Sequence, residues 1–178
     1  MNIIKFFIIS LAIFSGVLSS NDSEGYCKQN GGEVVEMTAQ FDTYVGYING
    51  NKRKFCRVLN SDGNLGYIGL DTFAANLPSL AATFSKSIVL DPSKLIGGPF
   101  PVNNLNLCYA LGGSNLSYYL IDSGFSDEYG QADICIFGDD SSVAAWTLMY
   151  MGIGYRLDIK NKIVADSLII PFPNIPYV

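Results

Sequence analysis

The amino-acid sequence predicts an α+β protein made of two similar disulfide-stapled halves that pack together. Three observations lead to this fold class. A cysteine-glycine motif occurs twice, four cysteines follow an apolar leader, and strand-like and helix-like segments come in the same order in each half. Each half is expected to contain a short helix, antiparallel hairpin strands and a following helix.

The first 20 residues have the layout of a secretory signal peptide. Lys5 precedes the apolar run 6–14, and a suitable cleavage motif follows at Val17-Leu18-Ser19. The run is shorter than the roughly 20 residues of a membrane span, and an uncleaved N-terminal anchor is the alternative. We therefore predict that residues 1–20 are a signal peptide and that the mature chain has no stable membrane span. The protein is expected to be secreted, to the periplasm or the medium.

All four cysteines, Cys27, Cys56, Cys108 and Cys135, lie beyond the predicted signal peptide. An even number of cysteines in an oxidising compartment favours two disulfides, and four cysteines allow three pairings. Their spacing alone does not choose among these pairings.

The motif C-x-x-x-G-G occurs at residues 27–32 and again at residues 108–113. In both halves a second cysteine follows at nearly the same distance, and an acidic turn comes after it. The nearly constant offset indicates a duplication and predicts the disulfides Cys27–Cys56 and Cys108–Cys135. Coincidence in a glycine-rich chain is the alternative. Each disulfide would stabilise the fold by about 3 to 4 kcal/mol through loop entropy.

The first half is assigned to residues 21–90. A short helix around Cys27 is expected to end at the Gly-Gly pair, where glycine takes the left-handed capping conformation. A hairpin turn is expected at Asn49-Gly50, and a later helix should be interrupted near Pro78. The expected boundaries are strands at 33–37, 43–48, 52–59 and 87–90 and a helix at 70–84.

A connector at 91–106, rich in turn residues, separates the halves. The second half, residues 107–178, keeps the order of the first and ends in a Pro-rich C-terminal tail. Its apolar helix carries Trp146 and is expected to be buried on most sides, because its apolar residues form no clean stripe. The expected boundaries are strands at 116–121, 131–137 and 155–164 and a helix at 142–151.

The order of C-x-x-x-G-G, strands, second cysteine, acidic turn and apolar helix with Trp146 resembles a small cysteine-containing domain of exported bacterial proteins. That family is often labelled haemolysin and is otherwise treated as a domain of unknown function. The resemblance covers one stretch in each half and implies a tandem copy of the domain. The first half departs from the pattern, with Ile68 near the tryptophan position, and both halves lack further cysteines that many members have.

Composition excludes several classes of function. The chain contains no histidine, which removes Ser-His-Asp and Cys-His catalytic groups and histidine-ligated metal sites. Its formal net charge of -5 is a poor match for nucleic acid or an anionic membrane surface. We therefore predict no nucleic-acid partner, no metal and no cofactor.

Acidic residues supply one catalytic hypothesis and one calcium hypothesis. The segment 120–124, Leu-Ile-Asp-Ser-Gly, resembles the aspartic-protease signature, in which two carboxylates share one proton. Asp122 is therefore the catalytic candidate, although Asp-Ser-Gly is also ordinary turn chemistry. Asp127 and Glu128 belong to an acidic loop with oxygen ligands suited to calcium. Its spacing fails the helix-loop-helix calcium pattern, so a solvated loop with two candidate binding residues is favoured.

The other candidate binding residues are basic and aromatic. Strand alternation places Arg53, Phe55 and Arg57 on one face of the first hairpin. There they would meet an acidic partner or the acidic loop of the second half, or simply form a charged edge that prevents strand aggregation. Tyr118 and Tyr119 lie on a strand of the second half and point to opposite faces.

These observations together predict a secreted non-catalytic binding protein, such as an inhibitor or a host-facing secreted factor. Its partner is expected to be an unidentified protein or glycan. A carboxylate-based hydrolase and an envelope structural or assembly protein are the alternatives, and the oligomeric state is left open.

Overall fold

A computed structural model of the protein describes residues 22–92, 104–120 and 130–173. The predicted signal peptide, most of the connector, Asp122, Asp127, Glu128 and the end of the Pro-rich tail lie outside these ranges. The four cysteines and the remaining candidate binding residues lie within them.

Six strands in the described residues form one closed antiparallel barrel. They are β1 (Gly32–Thr43), β2 (Gly46–Leu59), β3 (Leu65–Gly69), β4 (Ser114–Leu120), β5 (Gln131–Ile136) and β6 (Ser142–Ala144). Their order around the barrel is β1-β2-β3-β6-β5-β4. The predicted fold class is therefore wrong. The chain does not form two helix-hairpin-helix halves that pack together, because both halves contribute strands to a single barrel.

The error comes from two short strands, β3 and β6, which the sequence did not predict. Ile68 of β3 pairs with Val143 of β6 and joins the two halves of the chain on one side. Met37 of β1 pairs with Leu120 of β4 and joins them on the other side. Apolar runs of three to five residues suit a strand or a buried helix equally well. Whether such a run forms a strand or a helix is decided only by its pairing with distant segments of the chain.

The closing strands predicted at 87–90 and 155–164 are also wrong. The first region is the end of a helix followed by irregular chain, and the second contains a short helix. With β3 and β6 in place, the strand order around the barrel is complete without these two segments.

The described helices lie outside the barrel. They are α1 (Ser23–Gln29), α2 (Leu70–Phe73), α3 (Leu80–Ser87), α4 (Asn104–Ala110), α5 (Ala145–Gly152) and α6 (Leu157–Lys160). The interruption predicted near Pro78 is confirmed, because α2 ends before it and α3 begins after it. Side-chain caps fix two of the helix starts: Asp22 accepts a hydrogen bond from the Gly25 N–H at 2.8 Å, and Ser79 accepts one from the Ala82 N–H at 3.2 Å.

Strand alternation divides the buried apolar side chains into an inner and an outer core. The outer core lies between the barrel wall and the helices, and it includes Ile68, Val143 and Leu148 together with all four cysteines. The inner core fills the barrel and consists of Val35, Met37, Ala39, Phe55, Tyr67, Tyr118, Ala132, Ile134 and Ala144.

The β1–β2 hairpin turns at Tyr44-Val45, so the predicted turn at Asn49-Gly50 is wrong. Thr43 pairs with Gly46, whose φ is +117°, whereas Asn49-Gly50 lies within β2. Gly50 meets another requirement, because a Cβ at this position would lie 2.6 Å from a carbon of the Phe41 ring. The Asn-Gly pair therefore marks close packing within the hairpin and not a reversal of the chain.

Both disulfides have the predicted pairing, Cys27–Cys56 and Cys108–Cys135. Each one ties a helix outside the barrel to the strand that returns along the following hairpin, α1 to β2 and α4 to β5. All four cysteines are fully buried in the outer core. Two disulfides are compatible with an oxidising extracellular or periplasmic environment.

The glycines of the C-x-x-x-G-G motif have the same geometry at both positions. The first glycine takes a left-handed conformation, with φ of +81° at Gly31 and +79° at Gly112, which confirms the predicted helix stop. The second glycine, Gly32 or Gly113, packs against the disulfide, and a Cβ there would overlap a cystine sulfur. The motif therefore ends a helix and leaves room for a buried disulfide within two residues.

Candidate functional site

The barrel wall opens where β6 stops after three residues. β6 pairs with β3 through Ile68 and Val143, and its ladder with β5 ends at the pair of Ile134 and Ala144. The chain then leaves the sheet as α5, so in the part of the chain that the structure describes no strand lies between the neighbouring parts of β3 and β5. The opening is a cleft of about 510 Å³.

The cleft extends from the barrel interior to the surface of α5. Tyr67, Ala132 and Ala144 of the inner core lie at its inner end, while Trp146 and Tyr150 lie on α5 at its outer end. The lining combines these apolar groups with amide, hydroxyl and carboxylate side chains, which can form hydrogen bonds to a ligand. Among the described residues, the lining consists of Asn64, Leu65, Tyr67, Gln131, Ala132, Asp133, Ala144, Trp146, Thr147 and Tyr150.

Thr147 connects α5 to the edge of the cleft. Its hydroxyl accepts a hydrogen bond from the buried Tyr67 N–H at 2.9 Å, at a point where β6 no longer runs beside β3. A buried backbone donor without an acceptor would be destabilising by about 1–3 kcal/mol. The Thr147 side chain thus allows the barrel to remain open here without leaving this donor unpaired.

Three aromatic rings, which we call the aromatic row, follow the outer side of the cleft. The ring centroids of Trp146 and Tyr150 lie 5.7 Å apart with planes inclined by 32°. Those of Tyr150 and Tyr155 lie 6.5 Å apart with planes inclined by 42°. Trp146 is 46% exposed and Tyr155 is 70% exposed. The row therefore presents aromatic surface to solvent beside the cleft.

A second hollow of about 280 Å³ continues along the aromatic row. It shares Asn64 and Tyr150 with the cleft, and we call the cleft and this hollow together the groove. The described residues that line this hollow are Asn60, Asp62, Asn64, Tyr150, Tyr155 and Arg156. The aromatic row forms one side of the groove, and the loop between β2 and β3 supplies its polar side.

This polar loop is held in one conformation by its own side chains. The Asn60 carboxamide oxygen accepts hydrogen bonds from the N–H groups of Asp62 at 3.0 Å and Asn64 at 2.8 Å. Gly63 permits the turn with a φ of +80°. A bonded loop of this kind loses little conformational freedom when a ligand binds.

The buried side chain of Arg156 holds the loop between β2 and β3 in place through hydrogen bonds to its backbone. Its side chain is 1% exposed and donates hydrogen bonds to the carbonyl oxygens of Asn64 at 3.2 Å and Val58 at 3.1 Å. It also makes a two-point ion pair with Asp158, with both N–O distances 2.9 Å. Gly66 lies directly beneath the guanidinium, where a Cβ would come within 2.6 Å of Nη1.

The aromatic row was not among the residues predicted from the sequence. The helix carrying Trp146 was expected to be buried on most sides, and this is confirmed, because six of the eight residues of α5 are buried while Trp146 is exposed on its groove side. Trp146 and Tyr150 are four residues apart, a spacing that brings two side chains together on one helix face. That spacing was the available signal, whereas Tyr155 and Asn60 reach the site only through the fold.

The structure places two predicted binding residues, Phe55 and Tyr118, inside the barrel. Their exposed fractions are 0% and 2%, and their rings meet edge to face with centroids 5.6 Å apart. Arg53 lies on the same face of β2 and donates from Nε to the Tyr118 hydroxyl at 3.1 Å. The predicted alternation along this strand is confirmed, and it directs these side chains toward the barrel interior.

Two further candidates lie away from the groove lining. Arg57 forms an ion pair with Glu33 across the β1–β2 ladder. Tyr119 belongs to β4, where it pairs with Thr38 and Gln131. Their predicted binding roles remain predictions.

The acidic turn after β5 has structural partners. The Asp139 carboxylate accepts hydrogen bonds from the Leu80 N–H at 2.7 Å and the Ser141 hydroxyl at 2.6 Å, so it helps to cap α3. Asp140 has a φ of +67° and pairs with Arg53. These two carboxylates therefore connect the turn to a helix and to a barrel strand.

Acid is expected to weaken the fold through Asp139. Partial burial alone would raise its pKa, but the hydrogen bonds from Ser141 and Leu80 outweigh this effect and hold the pKa below the ordinary carboxyl value. The carboxylate therefore stabilises the fold above its unfolded-state pKa of roughly 3.9, and this contribution is lost as pH falls through the lower folded-state pKa. We expect Asp139→Asn to reduce the free energy of unfolding by about 1 kcal/mol at pH 7 and to flatten its acid dependence.

Urea unfolding of the natural sequence and of Asp139→Asn, at several pH values from neutral to acid, measures how the free energy of unfolding depends on pH in each. Asp166→Asn, which changes an exposed aspartate, is the matched control. It should leave unchanged both the free energy of unfolding at pH 7 and its dependence on acid. An acid dependence as steep in Asp139→Asn as in the natural sequence would contradict the assignment.

Within the described residues, no group of three or more cysteine and carboxylate side chains is arranged to hold a metal ion. None of the helices in the same part of the chain combines the length and apolar character needed to cross a bilayer.

Comparison of the chain with family models, with curated proteins and with solved structures finds no match. The resemblance to the exported bacterial domain therefore stays a prediction.

Proposed function

We propose that the chain is an exported binding protein that holds a polar ligand in the groove and releases it chemically unchanged. The observation that carries this proposal is the opening in the barrel wall, bordered by aromatic rings on one side and by a rigid polar loop on the other. Such a preformed site needs little rearrangement to bind.

The exposed aromatic surface supports binding on energetic grounds. Trp146 and Tyr155 expose 46% and 70% of their surfaces in the free protein. Covering apolar surface with a ligand is favourable by roughly 25 cal/mol for each Å² removed from water. Aromatic side chains with few rotatable bonds also lose little entropy when they are covered. The aromatic row is therefore well suited to supply affinity.

The carboxylates along the groove support binding over hydrolysis. Among the described residues, Asp133 lines the cleft and Asp62 lines the second hollow, one in each. A carboxylate hydrolase needs two such groups at one reacting bond. Asp133 also accepts a hydrogen bond from the Ser117 hydroxyl at 3.1 Å. These positions suit hydrogen bonding to a ligand better than shared acid–base catalysis.

Two features support the exported location within this proposal. The segment 1–20 has a signal-peptide layout, and both disulfides join fully buried cysteines. Disulfides persist in the periplasm and outside the cell. The ligand is therefore expected to be a molecule of that environment.

Intrinsic fluorescence tests the proposal directly, because Trp146 is the sole tryptophan of the chain. The purified protein is titrated with neutral oligosaccharides, with proline-rich and mixed peptides, and with nucleotides, while tryptophan emission is recorded. We expect one class to change the emission saturably and to be recovered unaltered, as checked by mass spectrometry. Ligand conversion, or no emission change with any class, would contradict the proposal.

A matched pair of variants locates the binding. Trp146→Ala should weaken binding about tenfold in calorimetry, consistent with a loss near 1.4 kcal/mol. Tyr109→Ala removes an aromatic residue that is 59% exposed and does not line the groove. This control should bind as the natural sequence does, and equal losses in both variants would argue against the groove.

A further inference from the structure

We infer that the groove binds an unbranched, uncharged oligosaccharide whose successive sugar rings stack on Trp146, Tyr150 and Tyr155. This inference rests on the proposed function and names its ligand class. Three observations carry it: the spacing of the aromatic row, the chemistry of the facing polar loop, and the acidity of the groove.

The aromatic row has the repeat expected for stacking of a chain of rings. Its centroid spacings, 5.7 Å and 6.5 Å, are close to the advance from one sugar to the next along an extended oligosaccharide. The face of an aromatic ring carries negative charge density, and the C–H face of a pyranose presents weakly positive hydrogens to it. Each ring of the row can therefore cover one sugar.

The inclination between neighbouring rings also suits this ligand. The planes turn by 32° from Trp146 to Tyr150 and differ by 42° between Tyr150 and Tyr155. A sugar chain whose rings tilt from one unit to the next follows such a surface better than a flat molecule does. The row therefore favours a chain of linked rings over one extended planar ligand.

The opposite side of the groove offers hydrogen bonds to hydroxyl groups. Asn60, Asp62 and Asn64 line it, and Gln131 and Asp133 extend the same chemistry into the cleft. Amide side chains donate and accept, and carboxylates accept at two oxygens. Sugar hydroxyls also donate and accept, so the two surfaces are complementary along the whole groove.

The charge of the groove favours an uncharged oligosaccharide over other polymers whose rings stack on aromatic side chains. Single-stranded nucleic acid also stacks on aromatic side chains, but it requires a basic channel for its phosphates. The groove instead contains Asp62 and Asp133, and Arg156, the one cation among the described lining residues, is already paired with Asp158. The charges of the described lining residues therefore disfavour phosphorylated or otherwise anionic chains and favour an uncharged chain.

Chain length provides the test. Unbranched glucose and N-acetylglucosamine oligomers, from the monosaccharide to the hexasaccharide, are titrated by calorimetry against the full protein. Affinity is expected to rise up to the trisaccharide, one sugar for each ring of the row, and then to level off. Tyr155→Ala should weaken trisaccharide binding about fivefold and leave disaccharide binding unchanged.

Tyr155→Phe keeps the ring and removes only the hydroxyl, so it should recover most of the trisaccharide affinity that Tyr155→Ala loses. Tyr155 is 70% exposed, and circular dichroism and thermal unfolding of both variants confirm that they fold. An equal loss for every chain length in Tyr155→Ala would overturn the stacked arrangement.

Two outcomes separate this inference from the proposed function. Saturable binding of a proline-rich peptide in the groove, with no binding of any sugar, would overturn the oligosaccharide and leave a binding protein. The absence of saturable binding in every class would overturn the proposed function as well.

Discussion

Replacing Arg156 with methionine is expected to lower the free energy of unfolding by about 3 kcal/mol. The guanidinium is buried, and it donates to the carbonyl oxygens of Val58 and Asn64 while pairing with Asp158. Methionine fills much of the same volume but donates nothing, so both carbonyls lose a charged donor. Equilibrium urea unfolding at neutral pH measures the change.

Arg57→Met is the matched control for this prediction. Arg57 also forms an ion pair, with Glu33, but the side chains are 28% exposed at Arg57 and 62% exposed at Glu33. Exposed pairs typically contribute at most about 1 kcal/mol. Equal losses in the two variants would show that burial of Arg156 carries no additional stabilisation.

A double-mutant cycle with Gly66 tests the same contact from the other side. A Cβ at Gly66 would lie 2.6 Å from Arg156 Nη1 and 2.8 Å from Ile159 Cδ1. Gly66→Ala should therefore be more destabilising with arginine at 156 than with methionine, whose flexible chain can move aside. Additive losses would contradict direct packing of the guanidinium on this glycine.

Local features of this fold were predictable from the sequence because they depend on neighbouring residues. The C-x-x-x-G-G motif identified helix ends at Gly31 and Gly112 and, through its second occurrence, the correct disulfide pairing. The barrel depends instead on Ile68 pairing with Val143, far away in the chain. No local pattern reports that pairing, since strands as short as β3 and β6 carry too few residues to show alternation.

The groove could not be predicted for a related reason. It exists because β6 ends early and because the loop at Asn60–Asn64 comes to lie beside the rings of Trp146 and Tyr150. Separations of 82 to 90 residues in the sequence lie between the loop residues Asn60 and Asn64 and the rings of Trp146 and Tyr150. Predicted candidates such as Phe55 and Tyr118 had suitable chemistry, yet closure of the barrel buried them. Exposure, which decides whether an aromatic residue can bind a ligand, is a property of the closed sheet.

Removing either disulfide is expected to reduce the free energy of unfolding by about 3.5 kcal/mol. The cysteines are separated by 29 residues in Cys27–Cys56 and by 27 in Cys108–Cys135. Loop entropy varies with the logarithm of loop length, so the two losses should be nearly equal. Replacing each pair with alanine avoids free thiols, and urea unfolding of the two variants provides the comparison. Clearly unequal losses would show that packing around one disulfide contributes beyond loop closure.

Removing both disulfides is the sharper form of this experiment. A domain of this size has a free energy of unfolding of about 5–15 kcal/mol. Two independent losses of about 3.5 kcal/mol each would remove a large part of it. Each disulfide lies within one half of the chain, whereas the β1–β4 and β3–β6 pairings join the halves. We therefore expect the quadruple alanine variant to keep the barrel at low temperature but to unfold near 37 °C, as followed by near-ultraviolet circular dichroism and Trp146 emission. Unfolding at the same temperature as the natural sequence would mean that the two apolar cores suffice. In that case folding would not depend on an oxidising compartment.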